Sequence, residues 1–250
     1  MSKRNIVKTG IPGLDDIISG GLPRRRCILV EGGPGSGKTT FSIQFLYAGS
    51  TRFDEPGIFV TLTESPEEIR QNMLTFGWDL VELEERRKLT MIDARPVTLT
   101  KEGYISPTEA LFKGEAIPFS QIARLLRNTI EETGAKRAVI DSVTVLTAQY
   151  EKAFHIRQGM LGLTQALSQT DCTTLFLSEV VDGQRPEPLM PLAYIVPGVI
   201  VLYYNRKGGI MIRGIQVLKM RGAKHSVEIH HMAITDSGIV VHPEERCEIS

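Results

Sequence analysis

The chain has 250 residues, 42% of them hydrophobic, and its 29 basic side chains balance 29 acidic ones. A chain of this length can bury one large core, so we predict a single domain over residues 1–250. Because the net charge is zero, the chain as a whole has no electrostatic attraction for nucleic acid or for an anionic membrane surface.

Cysteine usage and hydropathy narrow the class of protein further. Cys27, Cys172 and Cys247 are odd in number, far apart and without C-x-x-C spacing, which argues against a disulfide framework or a zinc site. No stretch reaches the roughly 20 apolar residues of a membrane span. We therefore expect a cytoplasmic protein with no membrane partner.

Strand and helix patterns alternate along the first two thirds of the chain. The run RCILVE leads through a glycine-rich turn into a helix over GKTTFSIQFLYAGS. Further strand-like runs, GIFVTL, KLTMIDA, KRAVIDS and TTLFLSE, are separated by helical patterns. This alternation predicts an α/β fold with a mostly parallel central sheet flanked by helices on both faces.

The pattern changes after Pro191. The stretch GVIVLYYNRKGGIMIRGIQVLKM is typical of two long strands joined by a turn at Gly208 and Gly209, and two shorter strands follow without helices. We predict an antiparallel β extension at the C-terminal edge, ending in a tail over 243–250. The segment 94–119 is rich in Thr, Pro and Gly and is predicted to be a surface loop.

A phosphate-binding loop is the most specific motif. GGPGSGKT, residues 32–39, matches G-x-x-x-x-G-K-[ST] and has a predicted strand before it and a predicted helix after it. Its glycines let backbone N–H groups turn inward around phosphates at the positive end of a helix, whereas the alternative is a glycine-rich turn without a ligand. We expect Lys38 to reach the β and γ phosphates and Thr39 to offer its hydroxyl to Mg²⁺. The predicted nucleotide contacts are Gly33, Pro34, Gly35, Ser36, Gly37, Lys38, Thr39 and Thr40.

A second anchor for the metal is expected at the end of a buried strand. Asp141 follows AVI in this way and is the Walker B candidate. Its alternative interpretation is a strand-end cap for the next turn. Because the phosphate loop is present, we predict that Asp141 and Thr39 hold Mg²⁺ together.

Three glutamates follow the strand GIFVTL, in FVTLTESPEEI. Ser65, Pro66 and Glu68 predict a capping box with proline at the first helical position, so Glu67 and Glu68 are expected to begin a helix. Glu64 is then the one carboxylate of the three that remains a candidate for chemistry.

Several stretches occur together in one order: TGIPGLDDIISGGLP before the phosphate loop, then FGWDL, VIDSVT, LKMRGAKHS and ITDSGI. This combination resembles the KaiC family of the RecA/RadA superfamily, from Thr9 to about Ile239. The resemblance implies a RecA-like ATPase domain that assembles into a ring, usually hexameric, with ATP and Mg²⁺ at each subunit boundary. Single-domain KaiC-like proteins of archaea are the nearer likeness, since the clock protein has two such domains in tandem.

The resemblance also implies residues that act across the subunit boundary. The family's K-x-R pair, which reaches the neighbour's γ-phosphate, corresponds to Lys219 and Arg221, which would act in trans as an arginine finger does. Residues two apart on a strand share a face, so we expect this pair to point together while Leu218 and Met220 point into the core. The alternative is a solvated strand edge decorated with charges.

Further site residues follow from the resemblance alone. His225 corresponds to the family's histidine beside the nucleotide, although a lone histidine is more often a packing or surface residue. Ser178 and Glu179 fall at the sensor position, where a polar residue would respond to the γ-phosphate. ITDSGI, residues 234–239, matches the hairpin near the ribose and base, and by itself it is an ordinary turn.

The sequence departs from the family at the catalytic base. Relatives usually carry two adjacent glutamates after the second strand, where this chain has Thr63 and Glu64. Thr63 cannot accept a proton at neutral pH, so Glu64 is the candidate base, provided that the chain already turns there. Otherwise hydrolysis should be slow. The clock protein's phosphorylated pair aligns with Ala193 and Tyr194, so no clock-type autophosphorylation is expected.

Three functions are compatible with these residues. The first is a ring-forming ATPase that hydrolyses ATP slowly to control its assembly or the binding of an unidentified regulatory protein. The second is a nucleotide-dependent binding module with negligible turnover, which Thr63 would allow. The third is a RadA-like factor on single-stranded DNA, with the basic stretch PRRRC as a possible polyanion contact. In that stretch Arg25 stands where many relatives have a small residue. The absence of an aromatic-basic run makes nucleic acid the less favoured partner.

Overall fold

The structure is a computed structural model that describes residues 5–95, 117–180 and 190–248. Its strands are β1 (Ile6–Val7), β2 (Leu22–Pro23), β3 (Cys27–Gly32), β4 (Gly57–Thr61), β5 (Leu89–Asp93), β6 (Arg137–Asp141), β7 (Thr173–Glu179), β8 (Gly198–Lys207), β9 (Ile210–Met220), β10 (Ile229–Thr235) and β11 (Gly238–Arg246). Its helices are α1 (Leu14–Ile17), α2 (Lys38–Arg52), α3 (Pro66–Leu74), α4 (Leu80–Glu85), α5 (Phe119–Thr133), α6 (Val143–Thr147), α7 (Ala153–Ser168) and α8 (Met190–Ile195).

Within those residues the main sheet has nine strands, in the order β11-β10-β9-β8-β3-β7-β6-β4-β5. The strands from β8 to β5 in this order are all parallel. The strands from β8 to β11 pair antiparallel, and β1 and β2 form a small separate pair. The predicted mostly parallel sheet with an antiparallel C-terminal extension is confirmed.

Both faces of the parallel part of the sheet are buried. Successive strand residues point to opposite faces, so Ile28 and Val30 pack in a core with α2, α3 and α4, whereas Leu29 packs in a second core with α5 and α7. Central strands of such a sheet therefore consist almost entirely of apolar residues, as the sequence of β3 does.

The carboxyl ends of the parallel strands meet at one edge of the sheet. The strand register pairs Gly32 of β3 with Glu179 of β7, and Thr61 of β4 with Asp141 of β6. Ligands of open parallel sheets bind at this edge, because the loops that leave the strands converge there. The register thus positions the phosphate loop, Asp141 and the residues after β4 side by side.

The predicted tail is wrong over its first part, because β11 extends to Arg246. Pro243 lies within this strand, and the pairing shifts register between His230 and His231 before Arg246 pairs with His230. Proline is tolerated there because β11 is the edge strand and its pairing with β10 is irregular at this point. No regular ladder hydrogen bond therefore requires the N–H that proline lacks.

The predicted surface loop over 94–119 lies mostly outside the described residues. Its two ends contradict the prediction, because Ala94, Ile117 and Phe119 are buried in the second core and Phe119 is the first residue of α5. The apolar side chains at both ends anchor the segment to the body of the domain. Over the described ranges, no helix is both long and apolar enough to cross a bilayer.

A buried ion pair joins the start of β6 to the chain before β4. The Arg137 guanidinium is fully buried and donates to the Glu55 carboxylate at 2.9 and 2.7 Å and to the Phe45 carbonyl at 2.7 Å. Its Cζ atom lies 4.6 Å from the centroid of the Phe45 ring. The pair secures the amino end of the strand that carries Asp141.

We expect Glu55→Ala to lower the free energy of unfolding by about 3–5 kcal/mol, because it leaves the buried Arg137 charge without its counter-charge. Urea denaturation measures the change. Glu85→Ala removes an exposed carboxylate at the end of α4 and serves as the control, with little expected effect. Equal stability of the two variants would contradict the role given to the ion pair.

Candidate functional site

The phosphate loop joins β3 to α2 in a conformation that requires glycine. Gly35 and Gly37 have φ values of 72° and 97°, in the left-handed region that side chains disfavour. A Cβ atom would lie 3.1 Å from the Tyr204 ring at Gly35 and 3.0 Å from Ile234 Cδ1 at Gly37. Conformation and space therefore both explain the two glycines.

Lys38 begins α2 and lies over the loop. Its Nζ donates to the carbonyl oxygens of Gly32 at 2.8 Å and Gly33 at 3.1 Å. Burial lowers the pKa of Lys38, and the nearby carboxylates of Glu179 and Asp141 partly oppose that shift. A partly desolvated cation is thus held at the mouth of the loop, where its charge suits a phosphate group.

Thr39 and Asp141 meet at the same place. The Thr39 hydroxyl donates to Asp141 Oδ2 at 3.0 Å, although the two residues belong to α2 and to the end of β6. Asp141 is only 6% exposed, and burial raises its pKa to about 6 against the opposing effect of that hydrogen bond. A hydroxyl beside a carboxylate is a hard oxygen donor set, so these two residues fit Mg²⁺ and would hold it.

Glu64 reaches this site because the chain turns early. The strand β4 ends at Thr61, and a bend follows in which the Thr61 hydroxyl donates to the Glu64 carbonyl at 2.6 Å. Thr63 and Glu64 both line the cavity that Asp141 borders. The negative charge of Glu64 is also one cause of the raised pKa of Asp141. The condition set for Glu64 by the sequence, an early turn, is therefore met, and its role as the base stays a prediction.

The next two glutamates form the predicted helix start. Ser65 caps α3, its hydroxyl accepts from the Glu68 N–H at 3.2 Å, and the Glu68 carboxylate accepts from the Ser65 N–H at 2.9 Å. Pro66 occupies the first helical position. The capping box is confirmed, and Glu67 and Glu68 have a structural explanation.

A cavity of about 530 Å³ extends from the loop to α3. Of the predicted contacts, Gly35, Gly37, Lys38, Thr39 and Thr40 line it, whereas Gly33, Pro34 and Ser36 complete the loop. Asn72, Thr75 and Phe76 also line the cavity and contribute an amide, a hydroxyl and an aromatic ring to its wall. The sequence motifs alone did not assign these three residues to the site. The stretch FGWDL, which begins at Phe76, was the available signal.

The two residues at the sensor position, Ser178 and Glu179, have different surroundings. Ser178 is buried, and its hydroxyl lies 3.4 Å from the Thr144 hydroxyl, whereas Glu179 lines the cavity. Neighbours on a strand face opposite ways, so only one of the two can reach the nucleotide side. The structure thus brings Glu179, and not Ser178, to the cavity.

Comparison with known proteins identifies the family. The sequence profile of a family described as "ATPase: KaiC" matches residues 7–246. The chain belongs to the KaiC ATPase family. This KaiC-family chain is 40% identical, over 239 residues, to a UPF0273 protein of Pyrococcus horikoshii, covering 96% of the chain and 94% of that protein. It is 38% identical over 238 residues to the circadian clock oscillator protein KaiC of Acaryochloris marina, covering 95% of the chain and 44% of that protein.

A solved structure supports the same assignment. The crystal structure of a KaiC-like protein from Pyrococcus horikoshii OT3 matches with a TM-score of 0.79 at 32% identity, covering 95% of this chain and 99% of that one. The resemblance predicted from the motifs is therefore confirmed, and with it the RecA-like fold.

The K-x-R pair of this KaiC-family chain lies outside the cavity. Lys219 Nζ donates to the Ala193 carbonyl at 2.6 Å, and burial together with the charge of Arg221 lowers the pKa of Lys219. Arg221 is exposed and follows the end of β9. His225 is half-buried in the loop before β10, with Nδ1 2.8 Å from the Ser226 carbonyl oxygen, and is not among the residues that line the cavity in the described chain.

The expected orientation of Leu218 is wrong. Lys219 pairs with Val199 while Val217 pairs with Ile200, so Leu218 is an extra residue in a β-bulge and is 42% exposed. A bulge breaks the two-residue alternation on which the prediction depended. Met220 is buried as expected.

The basic stretch before β3 is neutralised in part. Arg24 pairs with Glu55 at 2.7 Å and Arg25 pairs with Asp171 at 2.9 Å. Arg25 has a φ of 57°, in the left-handed region that glycine adopts more readily than arginine. Two of the three arginines are therefore engaged in ion pairs within the chain.

Asp141→Asn separates the metal role of this residue from its effect on folding. Burial raises the pKa of Asp141 in the folded protein to about 6, above the value near 4 that it has in an unfolded chain. The folded protein is therefore destabilised by ionisation of Asp141: the stability that is present below pH 4 is lost as the pH rises through about 6. We expect the amide to raise the free energy of unfolding at pH 7.5 by about 2–3 kcal/mol without metal, and to abolish the effect of Mg²⁺ on nucleotide binding. Urea denaturation and calorimetry test both effects, with the exposed residue Asp16 of α1, changed to Asn, as the control. A metal-free Asp141→Asn protein that is less stable than wild type would contradict this account.

Proposed function

We propose that this chain is a ring-forming KaiC-type ATPase, one domain per chain, that binds ATP with Mg²⁺ at subunit boundaries. It hydrolyses ATP slowly and uses the nucleotide to control its assembly or the binding of a regulatory protein. The observation that carries this proposal is the 3.0 Å hydrogen bond between Thr39 and Asp141 at the mouth of the phosphate loop. It joins the two oxygen ligands that a nucleotide-bound Mg²⁺ needs in P-loop enzymes.

Different residues of the chain bind the phosphates, the metal and the base. Backbone N–H groups of residues 35–39 and the Lys38 ammonium hold the phosphates, and Thr39 and Asp141 hold the metal. When bound, Mg²⁺ neutralises charge on the β and γ phosphates. The cavity wall at Asn72, Thr75 and Phe76 contacts the base.

Water activation falls to Glu64. Its carboxylate shares the cavity with Asp141 and orients the attacking water, whose proton it accepts. Thr63, where relatives have a glutamate, lines the same cavity and supplies no base. The presence of one carboxylate at this position, where relatives have two, supports slow hydrolysis of ATP.

The positive charges that stabilise the transition state come from a neighbouring subunit. Arg221 is exposed and does not line the cavity of its own chain, which is the placement expected of a residue that acts in trans. Lys219 donates to the Ala193 carbonyl and orients the short segment of chain that carries Arg221. The site is then complete only in an assembly.

Glu64→Gln tests the base. We expect steady-state phosphate release to fall on the order of 100-fold while ATP binding is retained, because the amide keeps the shape and loses the proton acceptor. Glu67→Gln, on the exposed start of α3, is the matched control and should leave turnover unchanged. Unchanged phosphate release in Glu64→Gln would show that the base lies elsewhere.

Mixing two inactive variants tests the shared site. Arg221→Ala alone should lower turnover by about 1,000-fold, as removal of an arginine finger does. If Glu64 and Arg221 act at one site from different subunits, mixed rings of Glu64→Gln and Arg221→Ala contain some wild-type sites and regain measurable phosphate release. No recovery, in mixtures shown to co-assemble, would count against action in trans.

A second candidate function is a nucleotide-dependent binding module without turnover. Thr63 at the cavity favours it, since the family's first glutamate is missing. A mass measurement with ATP, combined with a phosphate-release assay, separates the two: assembly with ATP but no phosphate release supports the module. The single-stranded DNA alternative loses support from the ion pairs of Arg24 and Arg25, and salt-dependent DNA binding in the presence of ATP would restore it.

A further inference from the structure

A cross-strand pair on the β8–β9 hairpin contacts the phosphate loop from outside the cavity. Tyr204 of β8 lies directly opposite Arg213 of β9, and Arg213 Cζ is 4.2 Å from the centroid of the Tyr204 ring. The same guanidinium donates from Nε and Nη2 to the Gly35 carbonyl oxygen, at 3.2 and 3.1 Å. The antiparallel extension therefore reaches back to the centre of the nucleotide-binding motif.

Tyr204 contacts Gly35 as well. A Cβ atom added at Gly35 would lie 3.1 and 3.2 Å from two carbons of the ring, so the ring packs closely on this residue. The guanidinium thus determines which way the Gly35 carbonyl points, and the ring supports the guanidinium and covers the α-carbon. Together these contacts restrain both the position and the orientation of one peptide unit of the loop.

The restrained peptide unit carries an N–H group of the phosphate cradle. The Gly35 carbonyl and the Ser36 N–H belong to one planar trans peptide, so they point in opposite directions. With its oxygen held by Arg213, the unit directs the Ser36 N–H to the loop interior, where it donates to the Gly33 carbonyl oxygen with an N···O distance of 3.3 Å. Lys38 Nζ donates to the same carbonyl, so this interior is where the phosphates would be bound.

We propose that Arg213, supported by Tyr204, is a positioning residue of the nucleotide site that pre-orients the Ser36 N–H toward phosphate. The inference rests on the proposed function, in which this loop holds the phosphates of ATP. Neither side chain lines the cavity in the described chain, so both act through the Gly35–Ser36 peptide rather than by touching the nucleotide. Pre-orientation improves binding because the loop no longer has to be ordered when the ligand arrives.

The direct test measures ATP and ADP affinity by calorimetry with Mg²⁺. Arg213→Ala is expected to weaken both nucleotides about tenfold and to raise KM while kcat changes much less, because a binding donor rather than a reacting group is affected. Arg213→Lys should recover part of the loss, since it keeps one charged donor but not the two-donor fork. Tyr204→Phe keeps the ring and should bind normally, whereas Tyr204→Leu should bind weakly.

Arg206→Ala is the matched control. It removes an exposed cation of the same hairpin, two residues from Tyr204, and should leave affinity unchanged. A second readout is the amide resonance of Ser36, which we expect to shift in nucleotide-free Arg213→Ala and Tyr204→Leu but not in Arg206→Ala. Thermal unfolding of each variant separates this effect from loss of fold.

Three outcomes would overturn the inference: nucleotide affinity in Arg213→Ala equal to wild type, an equal loss in Arg206→Ala, or a loss that follows the melting temperature and is not recovered by Arg213→Lys. A wild-type chain that binds neither ATP nor ADP would instead refute the proposed function. In that case an unchanged Ser36 resonance in Arg213→Ala would separately refute the restraint on the loop.

Discussion

Parallel pairing of β3, β7, β6 and β4 is the constraint on which the site depends. Because these strands run in the same direction, their carboxyl ends and the loops that follow share one edge of the sheet. Asp141 is carried into a buried position at that edge, and its carboxylate is stabilised there by the Thr39 hydroxyl from the next layer of the fold. The cost of burying the carboxylate appears in its pKa of about 6, and a bound cation is the natural way to offset that cost.

The cavity brings together the phosphate-loop motif, the acidic residue at the end of β6 and the residues that follow β4. Lys38, Thr39 and Asp141 all line it, and the Thr39 hydroxyl donates to the Asp141 carboxylate. Thr63 replaces one carboxylate, and Glu64 reaches the cavity only because the Thr61 hydroxyl holds the bend that follows β4.

The antiparallel extension is tied to the nucleotide site in two ways. Its β8–β9 hairpin contacts Gly35 through Arg213, and the end of β9 leads to Arg221, which is exposed. One hairpin thus contacts the phosphate loop of its own chain and leads to an exposed charge at the end of β9.

The sequence by itself determined the fold class, the phosphate loop, Asp141 and the capping box at Ser65, because each depends on a local pattern of glycine, apolar or capping residues. It missed short elements such as α4 and α6, which contain too few residues to show a period. Only the tertiary structure decided that Glu64 turns into the cavity, that Glu179 rather than Ser178 borders it, and that a bulge exposes Leu218. These outcomes depend on where strands end and how their register shifts, and those features are set by contacts between residues far apart in the chain.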